Sequence, residues 1–73
     1  MFRVYLCGYM GMHYSEIDDD YDARLKTIEA AYEYCNSAWE NGLLAPDEAA
    51  YIYDEKNDIL KEDWEWKESL GLE

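Results

Sequence analysis

The chain has 73 residues, 18 of them Asp or Glu against six Lys or Arg, for a formal net charge of −12. That balance repels nucleic acid and anionic membranes, so neither is expected as a direct partner. The length suits one domain with a thin core, while an apolar content of 49% argues against disorder.

Two cysteines, Cys7 and Cys35, are too few and too far apart for a secreted disulfide framework. They read as reduced, mostly buried thiols of a cytoplasmic protein, with an inter-chain bridge as the alternative. Met1 to Cys7 is too short for a signal-peptide hydrophobic stretch, and no run approaches the roughly 20 apolar residues of a membrane span.

In chain order, Phe2, Val4 and Leu6 alternate with Arg3, Tyr5 and Cys7, which predicts a strand. Gly8-Tyr9-Met10-Gly11 can turn the chain, and Met12 to Ile17 can return as a second strand, giving a hairpin within 1–17. A lone hairpin must pack on something. The segment 18–42 reads as a first helix, from about Asp20 to Asn41. Tyr21, Leu25, Ile28, Tyr32, Cys35 and Trp39 recur at intervals of three and four and so share a face. Acids near its start suit the helix dipole, and Asn41-Gly42 is a natural stop. A second helix is expected over 46–70, opened by Pro46 and ended by Gly71. Its apolar set, Ala49, Ile52, Tyr53, Ile59, Leu60 and Trp64, is less regular. So short a connection predicts antiparallel packing. The expected fold is thus one α+β domain, a short N-terminal β-hairpin or single strand packed on an antiparallel two-helix hairpin. Its core is expected from Phe2, Val4, Leu6, Leu25, Ile28, Tyr32, Cys35, Trp39, Ile52 and Leu60.

No catalytic or cofactor motif stands out, and an enzyme is not expected. Asp18 to Glu29 places carboxylates at positions 1, 3, 5 and 12 of a calcium-loop template. Ala23 occupies the position where that loop turns on Gly, and the same residues carry the helical stripe, so calcium and other metals are not expected as ligands. His13 is the only histidine and has no partners at ligand spacing. Ser15, Ser37, Ser69 and Thr27 lack any triad or elbow context.

Aromatic pairs are more informative. On a helix, residues two apart point about 200° away from each other. One member each of Tyr32/Tyr34, Tyr51/Tyr53 and Trp64/Trp66 should therefore face outward, where Tyr and Trp make strong contacts. Trp66, as the exposed member of its pair, is expected to be such an apolar anchor. The alternatives are a non-helical Trp64-Glu65-Trp66 with both rings on one side, and aromatics that cover a thin core from several directions. Along the expected second helix, Glu55, Asp58, Glu62 and Glu65 share a face, flanked by Asp54 and Glu68. Like charges at that spacing oppose helix formation, and several crowd the negative end of the dipole. A solvated face that merely keeps the protein soluble accounts for them equally well.

From Asp54 to Glu68 a helix would carry seven carboxylates over roughly 21 Å, one per about 3–4 Å. The repeat of phosphates along one DNA strand is about 3.4 Å. The expected function is therefore an inhibitor or regulator that mimics nucleic-acid backbone and binds a protein with a basic, nucleic-acid-binding surface. In charge and size alone the chain resembles phage-encoded anti-CRISPR and anti-restriction proteins. The expected site is Asp54, Glu55, Asp58, Glu62, Glu65, Glu68 and Trp66. Reversing four of those acids to Lys should then leave the fold intact or stabilise it. The alternatives are a small helical adaptor binding through exposed Tyr and Trp, and a homodimer.

Overall fold

The computed structural model describes residues 1–7 and 12–71. The turn read at Gly8 to Gly11 and the Cys7 side chain lie outside that description. Four strands and two helices follow in the order β1 (Phe2–Cys7), β2 (Ala23–Leu25), α1 (Ile28–Glu40), β3 (Ala49–Asp54), β4 (Ile59–Glu62) and α2 (Asp63–Leu70), with a 3-10 turn at Tyr14–Glu16. The strands form one antiparallel sheet ordered β2-β1-β3-β4. The expected hairpin on a two-helix hairpin is therefore wrong, because strands are spread through the chain.

The partner of β1 is not Met12 to Ile17. Ala23–Leu25 pairs on one side, with Val4 opposite Ala23, and Ala49–Asp54 pairs on the other, with Val4 opposite Ile52. Both neighbours run against β1, so they run parallel to each other, and α1 is the crossover between them. That helix is shorter than the expected 18–42. Thr27 caps it, its Oγ1 accepting the Ala30 N–H at 3.1 Å. At the other end Leu43 folds its N–H back to the Ala38 carbonyl at 2.9 Å.

The second helix expected over 46–70 is a turn, two strands and a short helix. Pro46 and Asp47 occupy a turn closed by the Glu48 N–H on the Ala45 carbonyl at 2.9 Å. Proline's fixed φ serves a turn as well as a helix start. In β3 the buried residues are Ala50, Ile52 and Asp54, a period of two. The chain then reverses over 55–58 and returns as β4.

Asp54 is the one buried charged side chain among the described residues. Its Oδ1 accepts the N–H groups of Lys56 at 3.0 Å and Asn57 at 3.3 Å, and its Oδ2 accepts the Asn57 side-chain amide at 2.8 Å. It therefore shapes the β3–β4 turn, which ends at Asp58 with a φ of 55°. Replacing Asp54 by Ala should cost about 1–2 kcal/mol, read as a lower denaturant midpoint.

Both helices lie on one face of the sheet. Val4, Ala31, Cys35, Ala38, Leu44, Ala50, Ile52 and Trp66 form the core, with Phe2, Leu6, Leu25, Ile28 and Tyr32 packed against it. The part of α1 pressed on the sheet is Ala31, Cys35 and Ala38, since small side chains let the helix approach closely. Its larger residues flank that line, and Trp39, expected in the core, is 38% exposed. Trp66 is also placed differently. Its indole is only 7% exposed, donates Nε1–H to the Ile52 carbonyl at 3.0 Å, and meets Phe2 edge-on at 6.3 Å between centroids.

Candidate functional site

The acids expected along one helical face are dispersed by the fold. Asp54 and Asp58 belong to the β3–β4 turn, and the Asp58 carboxylate accepts the Tyr53 hydroxyl at 2.7 Å. Glu62 closes β4 and caps α2, its N–H donating to Glu65 Oε2 at 3.0 Å. Glu65 thereby completes a capping box, and Glu68 is exposed further along α2. A straight 21 Å row of charge does not form, because the chain extends, turns and only then coils.

Glu55 has the most specific role of the seven. Register brings Arg24, Arg3, Tyr53 and Leu60 into a row across the sheet face away from the helices. Glu55 lies at that row and accepts Arg3 Nε at 2.7 Å, Arg24 Nε at 2.8 Å and Arg24 Nη2 at 2.9 Å. The two Arg24 hydrogen bonds, followed by the one from Arg3, hold its carboxyl well below the usual range, down to about 2, against the upward push of burial. Sharing this carboxylate raises the pKa of Arg24, and hydrogen bonds to Tyr5 and then Glu55 raise that of Arg3. The alternation in β1 placed Arg3 on this face, but nothing in sequence spacing announced Glu55 or Arg24 as its partners.

The segment from Met12 to Asp22 is a strap across the same face. At β4 the Tyr14 hydroxyl accepts the Leu60 N–H at 3.1 Å. Over β1 the Asp18 carbonyl accepts the Tyr5 hydroxyl at 2.6 Å and Arg3 Nη1 at 2.8 Å. At the far side Asp22 accepts the Leu6 N–H at 2.7 Å and donates its own N–H to the Val4 carbonyl at 2.8 Å. The residues matched to a calcium loop are thus a strap end, β2 and the start of α1. Among the described residues no three His, Cys, Asp or Glu side chains converge as metal ligands. His13 is exposed at the 3-10 turn, donating its N–H to Glu16 at 3.1 Å.

Carboxylates left facing solvent lie on both sides of the molecule. Asp18, Asp19 and Asp20 follow one another on the strap, while Glu29, Glu33 and Glu40 are exposed on α1. Where α1 ends and α2 begins, two indoles join them. Trp39 donates Nε1–H to Asp63 Oδ2 at 3.1 Å, and Trp64 donates Nε1–H to Glu62 Oε2 at 2.8 Å. Trp64 is 52% exposed, so the Trp64/Trp66 pair splits as a helix demands, with the members exchanged. Tyr51 and Tyr53, by contrast, share the far sheet face because they lie on a strand.

The buried Cys35 thiol is pushed up to about 12, by burial first and by the charge of Asp63 second, so it is no nucleophile at neutral pH. No helix among the described residues is long and apolar enough to cross a membrane. Comparison with protein-family models, with curated proteins and with solved structures gave no match for this chain.

Proposed function

We propose that the protein binds a basic, nucleic-acid-contacting surface of another protein and blocks it, presenting carboxylates where phosphates would otherwise lie. What carries this reading is how the fold distributes its charge. Both arginines bind Glu55, and among the strap carboxylates Arg3 reaches in addition only Asp19, at 3.6 Å, so four lysines are left to offset the remaining acids of the strap, α1 and α2. Glu29 to Glu40 spans roughly 16 Å of rigid helix, and the strap adds three consecutive aspartates. Size and charge are those of phage-encoded anti-CRISPR or anti-restriction inhibitors, which would act in the host cytoplasm. The adaptor reading keeps support of its own in the exposed Trp39 and Trp64.

Affinity capture at low salt, followed by titration of the identified partner, tests the proposal. Affinity should fall about tenfold or more between low and moderate salt, because contacts between exposed charges are screened. Duplex DNA or structured RNA should compete. Asp19→Asn, Asp20→Asn, Glu33→Gln and Glu40→Gln together should weaken binding while leaving the melting temperature at or above that of the wild type. Binding indifferent to salt, to nucleic acid and to these changes would overturn the proposal in favour of an adaptor.

A further inference from the structure

We infer that the junction of α1 and α2, built on Trp39 and Trp64, is where an arginine-rich segment of the protein partner docks. The inference rests on the acidic-inhibitor reading and assigns it an anchor. Both rings are exposed, at 38% and 52%. Both indole N–H groups are already spent on the adjacent carboxylates of Asp63 and Glu62. What the two side chains still offer a partner is therefore their electron-rich faces, beside carboxylates that remain partly open to solvent.

That combination matches one side chain better than the rest. A guanidinium stacks on an indole face and donates in a planar fork to a carboxylate, whereas an ammonium is a compact, strongly hydrated point charge. Lys67 lies one helical turn beyond Asp63 and Trp64 on α2, yet the indole faces themselves are left uncovered by the chain's own cations. Arg3 stands over Tyr21 and Lys61 over Trp66, and among the described residues none stands over Trp39 or Trp64. Glu40 follows Trp39 at the end of α1, and Leu43, also exposed, lies just beyond. These add negative charge and a small apolar contact to the same corner. Charge complementarity thus selects a cationic occupant, and the two indoles select arginine among cations. A second copy of the chain, at a net charge of −12, is disfavoured.

The probe is a nine-residue oligoarginine peptide, compared with oligolysine of equal length and charge. In two-dimensional NMR the indole N–H signals of Trp39 and Trp64 should shift and saturate with oligoarginine, while that of buried Trp66 stays in place. Oligoarginine should bind about tenfold more tightly than oligolysine, the sum of two modest stacking contacts. Trp39→Leu with Trp64→Leu should remove that preference, and the wild-type NMR shifts carry the test if the double variant folds poorly. Equal, salt-sensitive binding of both peptides with all three indole signals unmoved would overturn the anchor while leaving the acidic reading intact. No binding of either peptide at low salt would overturn both.

Discussion

Trp66→Ala is expected to cost about 3–5 kcal/mol, the usual penalty for truncating a buried Trp, and so to remove a large share of the domain's stability. A domain of 73 residues has on the order of 4–11 kcal/mol to lose. The indole fills the space between α2 and the sheet, edge-on to Phe2, with Lys61 over its ring at 5.2 Å. Truncation also frees the Ile52 carbonyl that its N–H occupies. Trp64→Ala, two residues earlier and half exposed, should cost less than about 1 kcal/mol. Thermal melts followed by circular dichroism separate the two. Equal melting temperatures for Trp66→Ala and the wild type would mean that α2 does not pack as described.

This pair shows what the sequence made legible and what it did not. Spacing alone required one of Trp64 and Trp66 to be buried, because α2 is helical, but periodicity carries no origin and could not say which. The alternation of Phe2, Val4 and Leu6 with Arg3 and Tyr5 marked β1 because one face meets the helices and the other meets the strap. In α1, Cys35 lies on the face that spacing predicts, but the large residues at that spacing do not carry the contact with the sheet. Ala31 and Ala38 take the sheet instead, since close approach of the helix favours small side chains.

Beyond Gly42 the local signals were ambiguous. Pro46-Asp47-Glu48 fits both a helix start and a turn. The period of two in β3 was hidden because its third buried member is an aspartate, stabilised by turn N–H groups that spacing cannot reveal. Asp54, Asn57 and Asp58 are strong turn formers, and Tyr51, Ile52 and Tyr53 favour strands; together they carried the information that the acidic periodicity obscured. The site suffered for the same reason. A charge ruler on one helix could not survive the division of that segment between two strands and a short helix. The residues that gather instead, Trp39 with Asp63 and Glu55 with Arg3 and Arg24, are 24, 52 and 31 positions apart, beyond the reach of any local pattern.

Glu55→Lys reverses sign between the two pictures. On an exposed helical face it would relieve repulsion and stabilise the chain. In the fold it removes the carboxylate shared by Arg3 and Arg24 and sets a third cation beside them, at an expected cost of about 2–4 kcal/mol. Glu55→Gln isolates the lost charge. Its cost at neutral pH should be about 1–2 kcal/mol, less than the full pKa displacement implies, because Arg24 is exposed and water screens the pair. The pH dependence fixes the cause. Glu55 binds its proton less readily folded than unfolded, so its contribution is complete above the unfolded value near 4.5. It is lost as pH falls through the folded value of about 2. Denaturant midpoints for the wild type should therefore decline more steeply across that acid window than those of Glu55→Gln, and the gap between the proteins should narrow toward its lower end. Added salt acts oppositely on the pair and on the whole molecule, weakening the Arg–Glu contact while screening a net charge of −12. The variant, with no pair to weaken, should gain more from salt than the wild type does. A constant gap across the acid window would mean that Glu55 is not held by these arginines.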